Sequence, residues 1–236
     1  MPPLDRAALL LDLDGTLLDI APRPDAVVVP LELPHTLRSL RRLLGDAVAV
    51  ITGRPVEVVD ALLGDAIFAV AGEHGGAIRH RPWQTVERQP LPSPPGEWRI
   101  EAERLVSRFP GAILEHKARG FALHYRAVPA AGEKLSRALT EMLHGCGDFE
   151  LLPAHMLWEV RPRGADKGKA VAGLMEWPPF RGRLPVFVGD DVTDEAGIAA
   201  AQAMRGVGLR VQEAFGDAAG VRAWLGAIAA LGDWPA

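Results

Sequence analysis

Ala7-Ala8-Leu9-Leu10-Leu11-Asp12-Leu13-Asp14-Gly15 runs from five consecutive apolar residues straight into two carboxylates and a glycine. Apolar residues without alternation describe a strand buried on both faces, as in a parallel sheet covered by helices. The design recurs. Ala47-Val48-Ala49-Val50-Ile51 leads into Thr52-Gly53-Arg54, Ile67-Phe68-Ala69-Val70 into Ala71-Gly72-Glu73, and Val186-Phe187-Val188 into Gly189-Asp190-Asp191. Residues 206–211 form a weaker fifth run. Helical periodicity lies between these segments. Residues 33–44 carry apolar side chains at 33, 37, 40, 43 and 44, and residues 55–63 open on a proline suited to the first helical position. Residues 166–175, 193–204 and 217–231 complete the set. Strand and helix alternate, which predicts an α/β fold with a doubly wound, mostly parallel sheet.

The middle of the chain reads differently. Residues 82–96 are rich in proline and read as a linker. A helical stretch (97–108), two short strands (112–117 and 121–126), a second helix (130–143) and two more strands (149–153 and 156–161) follow. Leu123-His124-Tyr125-Arg126 and Leu157-Trp158-Glu159-Val160-Arg161 alternate, as strands with one wet face do. This αββαββ block is expected to be a smaller α+β domain inserted into the first. The core domain would then be residues 1–82 and 163–236 and the insert 83–162, with Arg161-Pro162-Arg163-Gly164 as the return hinge.

Composition narrows the function. A formal net charge of −4 over 236 residues argues against a general nucleic-acid binder, which shows a basic excess. Cys146, the sole cysteine, excludes a disulfide within the chain and points to a reducing compartment. Its setting suits a small structural residue rather than a nucleophile. No apolar stretch reaches the ~20 residues that span a bilayer, and residues 7–11 are too few for the apolar segment of a signal peptide. The expectation is a cytoplasmic protein without membrane association.

In open α/β sheets ligands gather at the carboxyl ends of the strands. Here those ends carry Asp12 and Asp14, then Thr52, Gly53 and Arg54, then Asp190 and Asp191 with Asp194 one turn on. A lone aspartate at such a place is often only a cap or turn residue. Three clusters at three strand ends are a different matter. Asp12 and Asp14 share a face if the strand continues through them, and carboxylates that close repel unless a cation or proton separates them. A hard ion such as Mg²⁺ suits one or two carboxylates plus phosphate oxygens.

Asp12-Leu13-Asp14-Gly15-Thr16-Leu17 resembles the DxDGT signature of the haloacid dehalogenase superfamily of phosphotransferases. Thr52, Lys167 and Gly189-Asp190-Asp191 match its later motifs in order and spacing. Within it, the chain is similar to the trehalose-6-phosphate phosphatase family. The narrower likeness rests on residues 14–20 with Pro22 or Pro24 following, Ile51-Thr52-Gly53-Arg54, Gly72-Glu73-His74-Gly75, Leu114-Glu115-His116-Lys117, Leu123-His124-Tyr125-Arg126, Glu159-Val160-Arg161-Pro162 with Lys167-Gly168, and residues 189–195.

The resemblance implies Asp12 as nucleophile, forming an aspartyl-phosphate, and Asp14 as general acid and base. It implies Mg²⁺ on Asp12, Asp190 and the backbone carbonyl of Asp14. Thr52, the Gly53 amide and Lys167 would grip the phosphoryl oxygens. Asp191 and Asp194 would hold metal waters or orient Lys167. Alone, Lys167 reads as a solvated lysine at a helix start; the motif order gives it a role. Arg54 has two open roles, binding the sugar phosphate or pairing with a core carboxylate. His74 is either a structural histidine or a contact to a sugar hydroxyl. The insert would be a lid that supplies selectivity, with Glu115, Lys117 and Glu159 as glucose-binding residues and His124 and Arg126 beside them. Its alternating charges equally describe a merely solvated sheet face.

The expected reaction is hydrolysis of trehalose 6-phosphate, paired functionally with a trehalose-6-phosphate synthase. Alternatives are another sugar phosphate (sucrose phosphate or mannosyl-3-phosphoglycerate), a sugar phosphomutase, or a non-catalytic regulator of a synthase, which would be expected to lose an aspartate at the first strand. Residues 206–211 match the family's glycine-rich strand loosely, and the loop 212–216 does not match.

Overall fold

β1 (Ala7–Leu11) is fully buried along its length, as its unbroken apolar run requires. A computed structural model describes residues 1–21, 23, 26–82 and 84–235; Pro22, Pro24 and Trp83 lie outside the described residues. From β1 the chain passes through α1 (Leu33–Leu43), β2 (Val48–Ile51), α2 (Val56–Leu63), β3 (Ala69–Gly72), β4 (Ala77–Arg79) and β5 (Glu87–Arg88). The middle adds α3 (Gly96–Ser107), β6 (Ile113–Lys117), β7 (Gly120–His124), α4 (Gly132–Met142), β8 (Phe149–Ala154) and β9 (Leu157–Pro162). The chain ends with α5 (Lys167–Met175), β10 (Leu184–Gly189), α6 (Glu195–Ala203), β11 (Val207–Arg210), α7 (Val211–Ala214) and α8 (Ala218–Leu231).

The larger sheet has the order β11-β10-β1-β2-β3-β4-β5. Strands β11 to β3 are parallel, and β4 and β5 run as antiparallel additions at one edge. β1 lies at the centre of the five parallel strands, with β2 and β3 laid down on one side and β10 and β11 on the other. That reversal is the switch point at which open α/β sheets bind ligands. The fold is thus the expected mixed α/β architecture, a mostly parallel sheet accompanied by a separate antiparallel one. The β4–β5 pair is an addition to the sequence reading: two or three residues are too few to show a period.

The chain divides into two compact units, residues 1–89 with 165–236, and residues 90–164. Residues 84–89, assigned to the insert by the sequence reading, belong with the first unit, because β5 pairs with β4. In the second unit the sheet order is β6-β7-β9-β8. Phe121, Leu123 and Val160 on one face meet Leu105 of α3 and Leu135 and Leu139 of α4 in a core of its own. The strand expected to reach Arg126 ends at His124. Its partner β9 begins at Leu157, after a turn in which Met156 takes a left-handed φ of 57°. Among the described residues no helix is long and apolar enough to cross a membrane.

Candidate active site

The carboxyl end of β1 remains tied to β10 for one further residue, because the Asp12 amide donates to the Val188 carbonyl at 2.9 Å. The chain then closes on itself. Leu17 and Leu18 amides donate to Leu13 O, and the Gly15 amide donates to Leu18 O at 2.7 Å. Gly15 has φ 86°, and a Cβ there would lie 2.2 Å from Asp190 Oδ2. Glycine is demanded twice over, by the left-handed conformation and by the close approach of the Asp190 carboxylate.

Lys167 arrives from α5. Asp166 caps that helix, accepting from the Lys169 amide at 2.8 Å, so Lys167 is its first residue. Its Nζ donates to Asp12 Oδ1 and to Asp194 Oδ1, each at 2.6 Å, and all three residues are buried. Asp194 also accepts the Asp190 and Asp191 amides on its other oxygen, at 3.1 and 3.0 Å. Asp194 therefore orients Lys167 and fixes the loop after β10. Asp191 instead accepts from the amide and hydroxyl of Thr193, at 2.6 and 2.7 Å. Thr16, which the sequence reading left without a role, is fully buried and donates to Asp190 Oδ1 at 3.3 Å.

The electrostatics are unbalanced. Burial, helped by the carboxylates of Asp194 and Asp190, holds the Asp12 carboxyl well above the usual carboxylate range against the pull of Lys167. Burial and the carboxylates of Asp194 and Asp191 push Asp190 up to about 6. Burial opposes the charge on Lys167, yet Asp12, Asp194 and Asp191 outweigh it and keep the ammonium above its ordinary range. One lysine among these carboxylates leaves surplus negative charge in a desolvated place. Asp12, Asp190 and Asp194 offer oxygens within 4.8 Å of one another. Asp194 is committed to Lys167 and two amides, so Asp12 and Asp190 are the carboxylates left for an ion. Hard oxygen donors with surplus charge fit Mg²⁺.

At the end of β2, Thr52 is buried, and its Oγ1 accepts from the Arg54 amide at 3.2 Å. Arg54 grips Asp14 with both arms, Nε to Oδ2 at 2.6 Å and Nη2 to Oδ1 at 2.8 Å. Of its two open roles, the structure has the pairing with a core carboxylate. Gly53 is pressed against His74, whose Nε2 would lie 2.6 Å from a Cβ at that position. The His74 amide donates to Thr52 O at 2.9 Å, and Glu73 and His74 are both left-handed, with φ 53° and 56°. His74 is thus built into the wall behind Thr52 and Gly53.

The second unit carries the remaining candidates. Strand register places Glu115, Ala122 and Glu159 in one row on the sheet face opposite Phe121 and Val160. Lys117 Nζ lies 3.0 Å from Glu159 Oε2, and His124 Nε2 lies 2.8 Å from Glu115 Oε2. Arg161 Nε donates to Glu150 Oε1 at 3.0 Å on the same face. Burial opposes the charge on Glu115, but the His124 hydrogen bond and the Lys117 charge outweigh it and hold the carboxyl below its usual range. Arg126, beyond the end of β7, reaches the His155 carbonyl at 3.4 Å.

Asp12 at the end of β1, held by a buried lysine beside the acidic loop that ends the neighbouring β10, is an arrangement suited to a phosphatase, and the chain is one. Its fold is shared by a haloacid dehalogenase-like hydrolase of Bacteroides thetaiotaomicron, with a TM-score of 0.61 at 15% identity over 94% of this chain and 99% of that one. It belongs to the trehalose-phosphatase family, whose profile matches residues 10–214. A protein of Sinorhizobium fredii named "Probable trehalose-phosphate phosphatase" is 38% identical over 241 residues, covering 97% of this chain and 88% of that protein. The trehalose-6-phosphate phosphatase of Escherichia coli is 35% identical over 204 residues, covering 86% of this chain and 77% of its own. The C-terminal domain of Candida albicans trehalose-6-phosphate phosphatase shares the fold, with a TM-score of 0.79 at 20% identity over 96% of this chain and 93% of that one.

Proposed function

We propose that the protein hydrolyses trehalose 6-phosphate to trehalose and phosphate, the last step of trehalose synthesis, with Asp12 as nucleophile. The observation that carries this reading is the buried Asp12–Lys167–Asp194 arrangement beside Asp190, in a chain of the trehalose-phosphatase family. A carboxylate oxygen of Asp12 attacks phosphorus as the bond from phosphorus to the sugar oxygen breaks. Asp14 gives a proton to the departing oxygen. Water then attacks phosphorus of the Asp12 acyl phosphate, Asp14 takes its proton, and phosphate leaves with the Asp12 carboxylate restored.

Lys167 and the Thr52–Gly53 turn bind the phosphoryl oxygens, whose charge is redistributed in the transition state. Arg54 must release Asp14 before Asp14 works as an acid, and a substrate phosphate is a competing acceptor for its guanidinium. Asp12, Asp190 and the Asp14 carbonyl would hold Mg²⁺, which when bound neutralises charge between carboxylates and phosphate. The 90–164 unit would act as a lid, with Glu115, Lys117, Glu159, His124 and Arg126 offering paired charges to sugar hydroxyls. A single cysteine and the lack of a membrane-crossing helix among the described residues support a cytoplasmic setting, where a trehalose-6-phosphate synthase would supply the substrate. The test is phosphate release across a panel of sugar phosphates, with Mg²⁺ and with EDTA. Highest kcat/KM on trehalose 6-phosphate, lost on chelation, is the expected result; equal turnover of glucose 6-phosphate or sucrose 6-phosphate refutes the substrate.

A further inference from the structure

The loops that carry Asp12 and Asp190 nest against each other where the strands have ended. The Asp190 carboxylate fills the space beside Gly15, so a shift of either backbone moves the other loop's carboxylate. Like charges push these loops apart. Two side chains from beyond β11 hold them. Gln212, on α7, donates from Nε2 to the Asp190 carbonyl at 2.9 Å. Arg222, on α8, donates from Nη1 to the Leu17 carbonyl at 3.1 Å, and its Nη2 lies 3.1 Å from Asp19 Oδ2. One carbonyl belongs to the loop that begins with Asp12, the other to a candidate ion ligand.

The segment that supplies both side chains is stiff. Asp217 caps α8 through the Gly220 amide at 2.8 Å. Phe215, between the two helices, packs on Trp224 with ring centroids 5.0 Å apart, and Trp224 stacks on Trp234 at 5.6 Å. Trp234 Nε1 in turn donates to the Pro2 carbonyl at 2.6 Å. Arg222 is only 19% exposed, although its partner Asp19 is largely in solvent. Arg222 lies past residue 214, where the family match ends. The residues 212–216 that match no motif thus form one end of a rigid piece gripping both acidic loops.

We infer that the C-terminal segment 211–234 is a brace that sets the spacing of the Asp12 and Asp190 carboxylates, with Gln212 and Arg222 as positioning residues for the divalent ion. The inference rests on the proposed ion site. Neither residue touches the ion or the substrate; Gln212 fixes the backbone carbonyl of Asp190 itself, and Arg222 fixes that of Leu17, three residues after Asp14. Partners of this outer kind typically change metal affinity about 10- to 100-fold.

The experiment measures Mn²⁺ binding to the full chain by electron paramagnetic resonance, for the wild type and for Gln212→Leu, Arg222→Met, their combination and Asp190→Asn. The combined variant is expected to bind Mn²⁺ about tenfold or more weakly. Its metal-activation midpoint should rise by the same factor, while kcat at saturating metal stays within about twofold. A merely structural loss would lower Tm and leave the affinity of the folded fraction unchanged, and that result overturns the brace. Gln212 is exposed, so Gln212→Leu carries the test if the Arg222 variants do not fold; wild-type Mn²⁺ affinity in folded Gln212→Leu then overturns the brace. If Asp190→Asn binds Mn²⁺ as the wild type does, the ion site itself is refuted and the brace falls with it. If Asp190→Asn loses binding and the brace variants keep it, the brace alone is refuted.

Discussion

The two acidic regions of this chain solve opposite problems. Around Asp12 the carboxylates outnumber the cations: Lys167 serves Asp12 and Asp194 together, Arg54 is spent on Asp14, and Asp190 is left with a raised pKa. On the antiparallel sheet the candidate carboxylates are each paired within their own face, Glu115 with His124 and Glu159 with Lys117, and Glu150 meets Arg161 beside them. The first region is charge-frustrated, and under the proposed function a divalent cation with a phosphate would relieve it. The second pairs its carboxylates within itself, and under the same proposal it would offer preset donors and acceptors to an uncharged polyol rather than a site for a further ion. Under that proposal, reactive and selective chemistry separate by charge balance.

The largest expected effect breaks the first half of that comparison. Asp12→Asn keeps the volume and removes the nucleophile, so phosphate release should fall by about 10³-fold or more, with circular dichroism unchanged. Retained turnover would mean that the surplus charge serves structure alone. Next in size, Glu115→Ala should reduce kcat/KM for trehalose 6-phosphate by about tenfold to a hundredfold, the scale of one or two lost charge-assisted hydrogen bonds. Turnover of p-nitrophenyl phosphate should change less than about twofold. Parallel losses on both substrates would remove selectivity from the paired face.

The smallest effect sharpens the contrast through pH. Asp190 has a raised folded pKa, so its contribution to stability is complete below the ordinary carboxylate range and is lost as pH rises through about 6. Glu115 has a lowered one, so its contribution is present above that range and is lost as pH falls. With EDTA, melting scans should show the Asp190 contribution lost as pH rises from about 4 to about 6. Mg²⁺ should raise Tm by a few degrees more near pH 7 than near pH 5, because near pH 5 it must first displace protons from the carboxylates. A pH-independent Mg²⁺ shift would show that no carboxylate near the ion changes its protonation.

The central sheet was legible because its strands are long apolar runs ending abruptly in polar residues, and because Asp12, Thr52, Lys167 and Asp190 follow in a recognisable order. Local periodicity could not show contacts between distant segments. Thr16 reaches Asp190 across 174 positions and Arg222 reaches Asp19 across 203. The use of Arg54 on Asp14 was one of two open roles, since a guanidinium serves phosphate and carboxylate alike. Ala77–Arg79 and Glu87–Arg88 escaped because so few residues carry no period.

The nucleophile is tested most directly by trapping. Protein mixed with trehalose 6-phosphate and Mg²⁺, quenched and reduced with borohydride, converts an aspartyl-phosphate to homoserine that tandem mass spectrometry locates. Homoserine at position 12 is the predicted result. Homoserine at another aspartate, or none in protein caught during active turnover, would contradict the assignment of Asp12.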